Sequence, residues 1–288
     1  MKKLLAFALA TVMFCLCGCG GNSGSSGTLS SPLDNVITPP EKSEETVPYM
    51  LLHKITVTQS SYTYVLEHEY DNSGALVKES NIDAESKGIT TFTRNEKGDF
   101  TKIVTTRNID HGTGDFPYNS TKIFSYDSGR LKNISITDEY VGGDSVCTAY
   151  RYRYTDDGKV DYVIIYDNED NIAAKHIYQY DTDGKIAKRT VDFTDPNAAD
   201  IEITYEYDEI GRLSLMSYAQ GSDAVGRAEY TYSDNGYLSK KATSGKLLGE
   251  AEYVYTYTEK SIAAEKVSAT DAAQAQIIYD PYGIYRGF

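Results

Sequence analysis

A tyrosine-to-glycine motif recurs along this chain and limits its possible folds more than any other feature. In six copies a tyrosine precedes a glycine by four residues: Tyr70 to Gly74, Tyr154 to Gly158, Tyr180 to Gly184, Tyr207 to Gly211, Tyr232 to Gly236 and Tyr279 to Gly283. Three weaker copies, Arg94 to Gly98, Tyr126 to Gly129 and Tyr257 to Ser261, fill the gaps, so successive turn positions are 22 to 31 residues apart. Such regular spacing indicates an array of one structural unit.

Each unit has the pattern of a β-hairpin. Tyrosines alternate with polar residues before the turn, as in Tyr152-Arg153-Tyr154, and a period of two places them on one face of a strand. The glycine supplies the positive φ that a tight hairpin needs. A basic or small residue and an aliphatic one follow, as in Lys185-Ile186, and open the return strand. We therefore predict an all-β fold, an elongated or curled antiparallel meander of about nine Tyr-rich β-hairpin repeats.

The connections between units differ from the turns within them. The Tyr-to-Gly turns are short and nearly constant, whereas the segments between units vary in length: Arg107 to Asn119, Asp138 to Ser145, Asp167 to Asn171, Asp192 to Asp200 and Ala219 to Arg227. Variable insertions on one side of a repeat array often form the binding surface. This edge of the sheet is a candidate for ligand recognition. The alternative is that these segments are solvent-exposed loops that vary in sequence without a binding role.

The N-terminus has the organisation of an exported lipoprotein. Two lysines precede an almost wholly apolar run, Leu4 to Leu16, which is shorter than the about 20 residues of a transmembrane helix and is typical of a signal peptide. The sequence Leu16-Cys17-Gly18-Cys19 resembles the bacterial lipobox. That resemblance implies a signal peptide over residues 1–18 and diacylation, with palmitate-type chains, of Cys19. The alternatives are an ordinary secretory signal with incidental cysteines and acylation of Cys17.

Residues 19–48 are rich in Gly, Ser, Pro and acids, a composition that cannot bury enough surface to fold. We interpret them as a flexible tether that spans on the order of 30 Å, and residues 49–288 as the repeat domain. The expected location is the cell envelope. Gly20 follows the acylated cysteine where an inner-membrane retention signal has Asp, which favours the outer membrane, on its periplasmic or surface face, in an organism with two membranes. In an organism with one, the outer face of the cytoplasmic membrane is expected.

Charge and cysteine content limit the partners. The formal net charge is −14, and removal of the signal peptide with Lys2 and Lys3 would make it −16. A chain with this negative charge is repelled by the phosphates of nucleic acids and by anionic lipid. We therefore expect no nucleic acid partner, and we expect membrane association only through the lipid anchor. Beyond Cys19 the mature chain has Cys147 alone. It is expected to be a small buried apolar residue rather than half of an intramolecular disulfide.

The pattern Tyr-Asp-x-x-Gly-[Arg/Lys]-[Leu/Ile] at this spacing resembles the YD or Rhs repeat of bacterial surface and toxin-delivery proteins, over roughly residues 62–283. In large members of that family the hairpins form a hollow shell around a toxic domain, and carbohydrate binding has been suggested for the repeats. This chain has only about nine units and no toxin domain after them. The resemblance therefore implies a short lipoprotein of YD repeats, or a remnant of an Rhs-type shell system.

Tyrosines at alternate positions on neighbouring strands are our candidate ligand platform. A row of such rings could stack against the sugars of a glycan or envelope polymer, and the alternative is that the rings form the core or a stabilising cross-strand ladder. The candidates are Tyr152, Tyr154, Tyr178, Tyr180, Tyr205, Tyr207, Tyr230, Tyr232 and Tyr255. We expect a non-catalytic binding or scaffold module, with a carbohydrate, an envelope polymer or a protein as partner.

Catalytic and metal sites are not expected. The four histidines are scattered and none lies in an HExxH motif, and neither a Gly-x-Ser-x-Gly elbow nor a phosphate-binding glycine loop occurs. Asp181-Thr182-Asp183-Gly184 bunches oxygen ligands, but its glycine is at position four rather than the position six of an EF-hand loop, and Asp is also a common turn former. We expect no cofactor. A transmembrane barrel is disfavoured because polar side chains occur on both strand faces.

Overall fold

The computed structural model describes residues 46–59, 62–82, 86–109, 119–140, 143–264 and 267, and within them it consists of antiparallel β-strands. The strands are β1 (Thr46–Gln59), β2 (Tyr62–Tyr70), β3 (Leu76–Ile82), β4 (Ser86–Arg94), β5 (Phe100–Ile109), β6 (Asn119–Asp127), β7 (Arg130–Glu139), β8 (Ser145–Tyr154), β9 (Val160–Tyr166), β10 (Ile172–Tyr180), β11 (Ile186–Phe193), β12 (Ile201–Tyr207), β13 (Leu213–Gln220), β14 (Asp223–Tyr232), β15 (Leu238–Ser244) and β16 (Ala251–Ala263). Strand β1 begins inside the segment interpreted as a tether.

The sheet is a closed barrel, which corrects the predicted open meander. Each strand pairs with its sequence neighbours, and β1 pairs antiparallel with β16 to complete the ring of 16 strands. That closing pair is long and extends from Thr46 opposite Ala263 to Thr58 opposite Glu252. The predicted elongated or curled meander of about nine repeats is therefore wrong: a curled sheet that meets its own first strand has no free edge.

Seven hairpin turns lie at one edge of the barrel, which we call the turn edge: residues 71–75, 95–99, 128–129, 155–159, 181–185, 208–212 and 233–237. Gly184, in the fifth of them, has a φ of 81°, in the left-handed region that glycine enters without a Cβ penalty. Asp181 fixes the same turn, because its carboxylate accepts the backbone N–H groups of Asp183 (2.9 Å) and Lys185 (2.8 Å).

A register shift accompanies all seven of these hairpins. In each, the pairing skips one residue of the return strand at the step before the motif tyrosine, or before Arg94 in the second hairpin. In the fourth hairpin, Arg153 lies opposite Tyr162 but Tyr154 lies opposite Val160, so Asp161 is the extra residue. Such β-bulges bend a strand and increase its twist, which assists the curvature that closure requires.

Two of the nine predicted turns are not among these seven. Ser261, the serine that replaces glycine in the eighth motif, lies within β16, opposite Pro48 of β1. Residues Tyr279 to Gly283 lie outside the described residues, as do Cys19 and the segment 1–45.

The opposite edge, the loop edge, carries the connections of varied length. It includes residues 167–171, 194–200, 221–222 and 245–250. The described parts of the five variable segments fall at this edge, although their ends belong to strands: for example, Asp192 and Phe193 are in β11. Parts of the first two segments, residues 110–118 and 141–142, lie outside the described residues.

One apolar cluster occupies the inward face of the barrel. It contains buried residues from β1 to β16, among them Val57, Leu76, Ile134, Val163 and Ile203, each at most 2% exposed. A cylindrical barrel of 16 to 18 strands generally encloses an aqueous channel. Here the inward side chains are instead largely excluded from solvent, so the barrel has a packed apolar interior.

The outward face carries charge pairs together with exposed aliphatic residues, such as Ile89 and Ile123. Lys78 pairs with Glu69, and Lys188 and Lys240 pair with Glu202 and Glu252 on their neighbouring strands. A lipid-facing barrel surface has the reverse arrangement, with an apolar band outside. The parts of the outward face that carry these charge pairs are thus suited to contact with water. Among the described residues no helix is long and apolar enough to cross a bilayer.

Candidate functional site

The nine tyrosines of the predicted platform all face inward. Five of them, Tyr152, Tyr178, Tyr205, Tyr230 and Tyr255, are only 2 to 8% exposed. The other four, Tyr154, Tyr180, Tyr207 and Tyr232, are half-buried against the same apolar cluster. These rings pack with the core, and a ring in that position cannot present its face to a ligand outside the barrel.

Six motif tyrosines instead connect their hairpin to the preceding part of the sheet. The Tyr154 hydroxyl donates to the carbonyl of Leu131 at 2.7 Å. Five more tyrosines make the same type of bond: Tyr70 to Leu52, Tyr126 to Phe100, Tyr180 to Val160, Tyr207 to Ile186 and Tyr232 to Leu213. Except for Leu52, the acceptor is the first aliphatic or aromatic residue after the preceding glycine, directly before the bulged residue. The tyrosine therefore has a structural role.

The basic residue that follows four of the seven turn glycines has a matching role. Arg212 lies over the ring of Tyr232 in the next hairpin, 4.2 Å from its centroid, and Lys185 and Lys159 lie over Tyr207 and Tyr180 at 5.1 and 5.2 Å. Such cation–π contacts contribute roughly 0.5–1 kcal/mol at exposed sites. Together with the hydroxyl bonds, they explain why the whole motif recurs rather than the glycine alone.

An outward patch on β8, β9 and β10 is the stronger candidate for a binding surface. Directly paired residues share a face, and three adjacent rows of pairs cross these strands. They are Ala149, Tyr166 and Ile172; Arg151, Ile164 and Lys175; and Arg153, Tyr162 and Ile177. We call these nine residues the β8–β10 patch. None of them is buried, and Ile172 is 45% exposed.

Two rings and two cations of the patch are in direct contact. The Arg151 guanidinium lies over the Tyr166 ring, 4.1 Å from its centroid, and the Lys175 ammonium lies 4.1 Å from the centroid of Tyr162. Arg151 also lies 3.7 Å from Asp170 in the loop-edge connection 167–171, and both side chains are about half exposed. Asp170 has a φ of 62°. The patch therefore continues onto the variable edge that the sequence pattern singled out.

Sequence reasoning missed this patch because strand β9 is apolar on both faces. Val163 and Ile165 are buried inside, while Tyr162, Ile164 and Tyr166 face outward. A period-two pattern assigns residues to strand faces only when apolar and polar residues alternate. They do not alternate in β9, so the sequence did not indicate which of its residues face outward. The outward tyrosines also lie outside the Tyr-to-Gly motif.

Polar groups buried inside the barrel form a second feature. Arg189 and His176, on neighbouring strands, are 4% and 2% exposed. Burial, with the charge of Arg189 as a smaller cause, lowers the pKa of His176 to about 3. Burial also raises the pKa of Tyr218 to about 12, with Tyr205 adding to the rise and Arg189 opposing it. His176 and Arg189 are enclosed, so they have no direct access to a large ligand.

A further inward group surrounds Asp138. Burial raises the pKa of its carboxyl, against the opposing effects of a hydrogen bond from Ser120 and the charges of Lys122 and Arg107. Lys122 is itself only 9% exposed. Lys122 and Arg107 thus partly neutralise the charge of the Asp138 carboxylate on the inward face of the barrel.

Metal-binding and thiol chemistry have no assembled site in the described part of the chain. No group of three or more His, Cys, Asp and Glu side chains there is placed to hold an ion. The turn carboxylates are occupied by backbone N–H groups, as shown for Asp181. Cys147 is a buried free cysteine.

Comparisons with known proteins give only distant structural likeness. No family profile and no curated protein sequence matches this chain. Among solved structures, a porin-like protein from Bacteroides vulgatus has a TM-score of 0.48 and 14% identity, over 73% of this chain and 99% of that one. A porin-like protein from Bacteroides uniformis has a TM-score of 0.43 and 13% identity, over 72% and 96%. The TcdB2–TccC3 structure has a TM-score of 0.27 and 16% identity, over 62% of this chain and 11% of that one. Scores and identities at this level assign no function to this chain.

Proposed function

We propose that this chain is a lipid-anchored protein of the cell envelope whose barrel is a non-catalytic binding module for a glycan or other envelope polymer. The β8–β10 patch is its binding surface. The observation that carries the proposal is the outward cluster of two tyrosine rings, three isoleucine side chains and three cations on β8, β9 and β10.

Anchoring through Cys19 would bring this surface into reach of envelope polymers. By the lipobox resemblance, the anchor would precede a segment rich in Gly, Ser and Pro, and β1 begins at Thr46. A flexible segment of that length spans on the order of 30 Å. The charge pairs on the outward face favour a barrel that stands in water beside the membrane rather than within it.

Chemical features of the patch favour a sugar polymer as ligand. Aromatic faces pack against the C–H groups of sugar rings, and arginine and lysine supply hydrogen-bond donors for hydroxyl oxygens. A strand-based surface is also firm, because backbone hydrogen bonds on both sides fix β9. A preorganised surface lowers the entropic cost of binding.

The experiment that tests the proposal is capture from envelope extracts. The purified mature lipoprotein in mild detergent is incubated with extract, with and without prior glycan digestion, and a variant with Tyr162→Ala and Tyr166→Ala serves as the comparison. We expect captured polymer that is lost after digestion and reduced with the variant. Capture that is absent, or unaffected by the variant, contradicts the proposal.

A protein partner is the second candidate function. Ile172 is 45% exposed within the patch, and exposed apolar residues beside arginine and tyrosine are common at protein interfaces. In the same capture experiment, a patch-dependent protein that persists after glycan digestion would support a scaffold role and count against polymer binding.

A further inference from the structure

We infer that the ligand of the β8–β10 patch is an anionic polysaccharide that lies along β9. This inference rests on the proposed function and specifies its substrate class. The patch combines an apolar track with cations on both of its sides, which is the pattern that a linear polymer with sugar rings and regularly placed carboxylates or phosphates would match.

The apolar track runs along β9. Tyr162, Ile164 and Tyr166 alternate along that strand and share its outward face. Four residues of a strand extend about 13 Å, so the two tyrosine rings are separated by a distance that needs an extended ligand. A single monosaccharide cannot contact both.

The cations lie on both sides of this track. Arg151 and Arg153 are on β8, opposite Ile164 and Tyr162, and Lys175 is on β10, opposite Ile164. Neighbouring strands are about 4.8 Å apart, so charged groups on either side of a polymer over β9 would meet a cation. The patch contains no carboxylate, although the chain as a whole has a formal charge of −14.

Nearby carboxylates, including Asp161 beside Tyr162 on β9, reduce the positive charge of the patch. Asp170 lies 3.7 Å from Arg151, and Asp192 is paired with Lys175 in the register of β10 and β11. Asp170 is thus a competitor for the arginine that an anionic ligand would bind. Its removal is expected to strengthen binding, which distinguishes a ligand contact from a structural role of Arg151.

An anionic membrane is the less favoured partner. A flat bilayer would face much of the barrel's acidic surface together with the patch, and like charges repel. A thin polymer can contact the patch alone. Charge complementarity therefore favours the polysaccharide.

The test uses polygalacturonate and the neutral polymer obtained from it by carboxyl reduction, each titrated against the immobilised mature lipoprotein. We expect polygalacturonate to bind more tightly than the neutral polymer and the difference to shrink as salt is raised. Arg151→Gln and Lys175→Gln should each weaken polygalacturonate binding about fivefold, the equivalent of one solvent-exposed charge contact. Asp170→Asn should tighten it, and Asn tolerates the positive φ at that position.

Matched controls are available on β5 and β6. Lys102 and Ile123 form an outward cation–aliphatic pair there, with Ile123 46% exposed, on a part of the wall outside the patch. Lys102→Gln and Ile123→Ala should leave binding unchanged. Circular dichroism of each variant confirms that the barrel has folded.

Each other outcome overturns the inference in a distinct way. Equal binding of both polymers, with no effect of the charge variants, would refute the anionic class while the proposed function stands. Patch-dependent binding to vesicles that contain anionic phospholipid, without binding to polygalacturonate, would assign the patch to a membrane. Failure to bind any polymer, together with failure to capture polymer from envelope extract, would refute both.

Discussion

The hydroxyl of Tyr154 donates a hydrogen bond to the carbonyl of Leu131, one hairpin earlier in the chain, at 2.7 Å. This bond joins the end of β8 to the start of β7 at the point where the bulge at Lys132 interrupts the backbone ladder. A buried carbonyl that loses its partner has a desolvation cost. The tyrosine thus compensates for the bulge in the preceding hairpin.

Tyr154→Phe is expected to lower the free energy of unfolding by about 1 kcal/mol, because it removes the hydroxyl and leaves the Leu131 carbonyl without that donor. The measurement is urea denaturation followed by circular dichroism. Tyr162→Phe, which alters an outward ring of β9, is the matched control and should change stability much less. Equal effects of the two substitutions would contradict the structural role of the motif hydroxyl.

Gly129→Ala is expected to destabilise the barrel by roughly 1–2 kcal/mol, since Gly129 has a φ of 81° and an L-residue with a Cβ is strained there. No described atom lies within 4 Å of the new Cβ, so the cost would come from the backbone conformation. At Gly88, by contrast, a Cβ would meet Arg107 and Asn81 at an ordinary 3.5 Å. Thermal unfolding should show little effect of Gly88→Ala, and a comparable loss there would contradict this explanation.

His176 is expected to make the barrel less stable in acid. Its pKa is about 3 in the folded chain, against 6.5 for an unperturbed histidine. The unfolded chain therefore binds one more proton than the folded chain between these values, and this contribution to stability falls as pH drops from about 6.5 towards 3, by up to about 1.4 kcal/mol per unit. His176→Asn should flatten the profile of unfolding free energy against pH in that window. An unchanged slope would show that His176 is not a neutral, buried group.

Cys19→Ser is expected to abolish acylation and release the chain from the membrane fraction, because the lipobox resemblance assigns the acyl chains to that sulfur. Labelling with an alkyne-modified palmitate, followed by fractionation, measures both effects. Cys17→Ser is the control and should leave labelling intact. Labelling that disappears with Cys17→Ser and persists with Cys19→Ser would move the anchor to the other cysteine.

The hairpin turns could be predicted from the sequence, but the closure of the sheet into a barrel could not. Tyr180 to Gly184 predicts a turn because every residue that defines it lies within five positions. The pairing of β1 with β16 joins residues about 200 apart, such as Val57 and Tyr253. Strand β1 also lacks the Tyr-to-Gly motif, so nothing in the repeat pattern indicated that a first strand would lie beside the last.

The candidate site was misplaced for a related physical reason. Alternation correctly groups Tyr152 and Tyr154 on one face, but it does not determine whether that face is inside or outside. A tyrosine can pack in a core and still satisfy its hydroxyl with a backbone carbonyl, as Tyr180 does with Val160 at 2.7 Å. Tyr162 and Tyr166, which do face outward, belong to a strand whose two faces are both apolar.

Closure of the ring also restricts how such a gene can grow or shrink. In a closed antiparallel sheet every strand runs opposite to its two neighbours. The first and last strands can therefore pair antiparallel only when the number of strands is even, as it is with 16. Duplication or deletion of half a unit would leave a parallel mismatch at the junction of Tyr255 with Ile55. Viable length variants should therefore differ by whole hairpins, and each added or lost hairpin would change the circumference of the barrel rather than its height along the barrel axis.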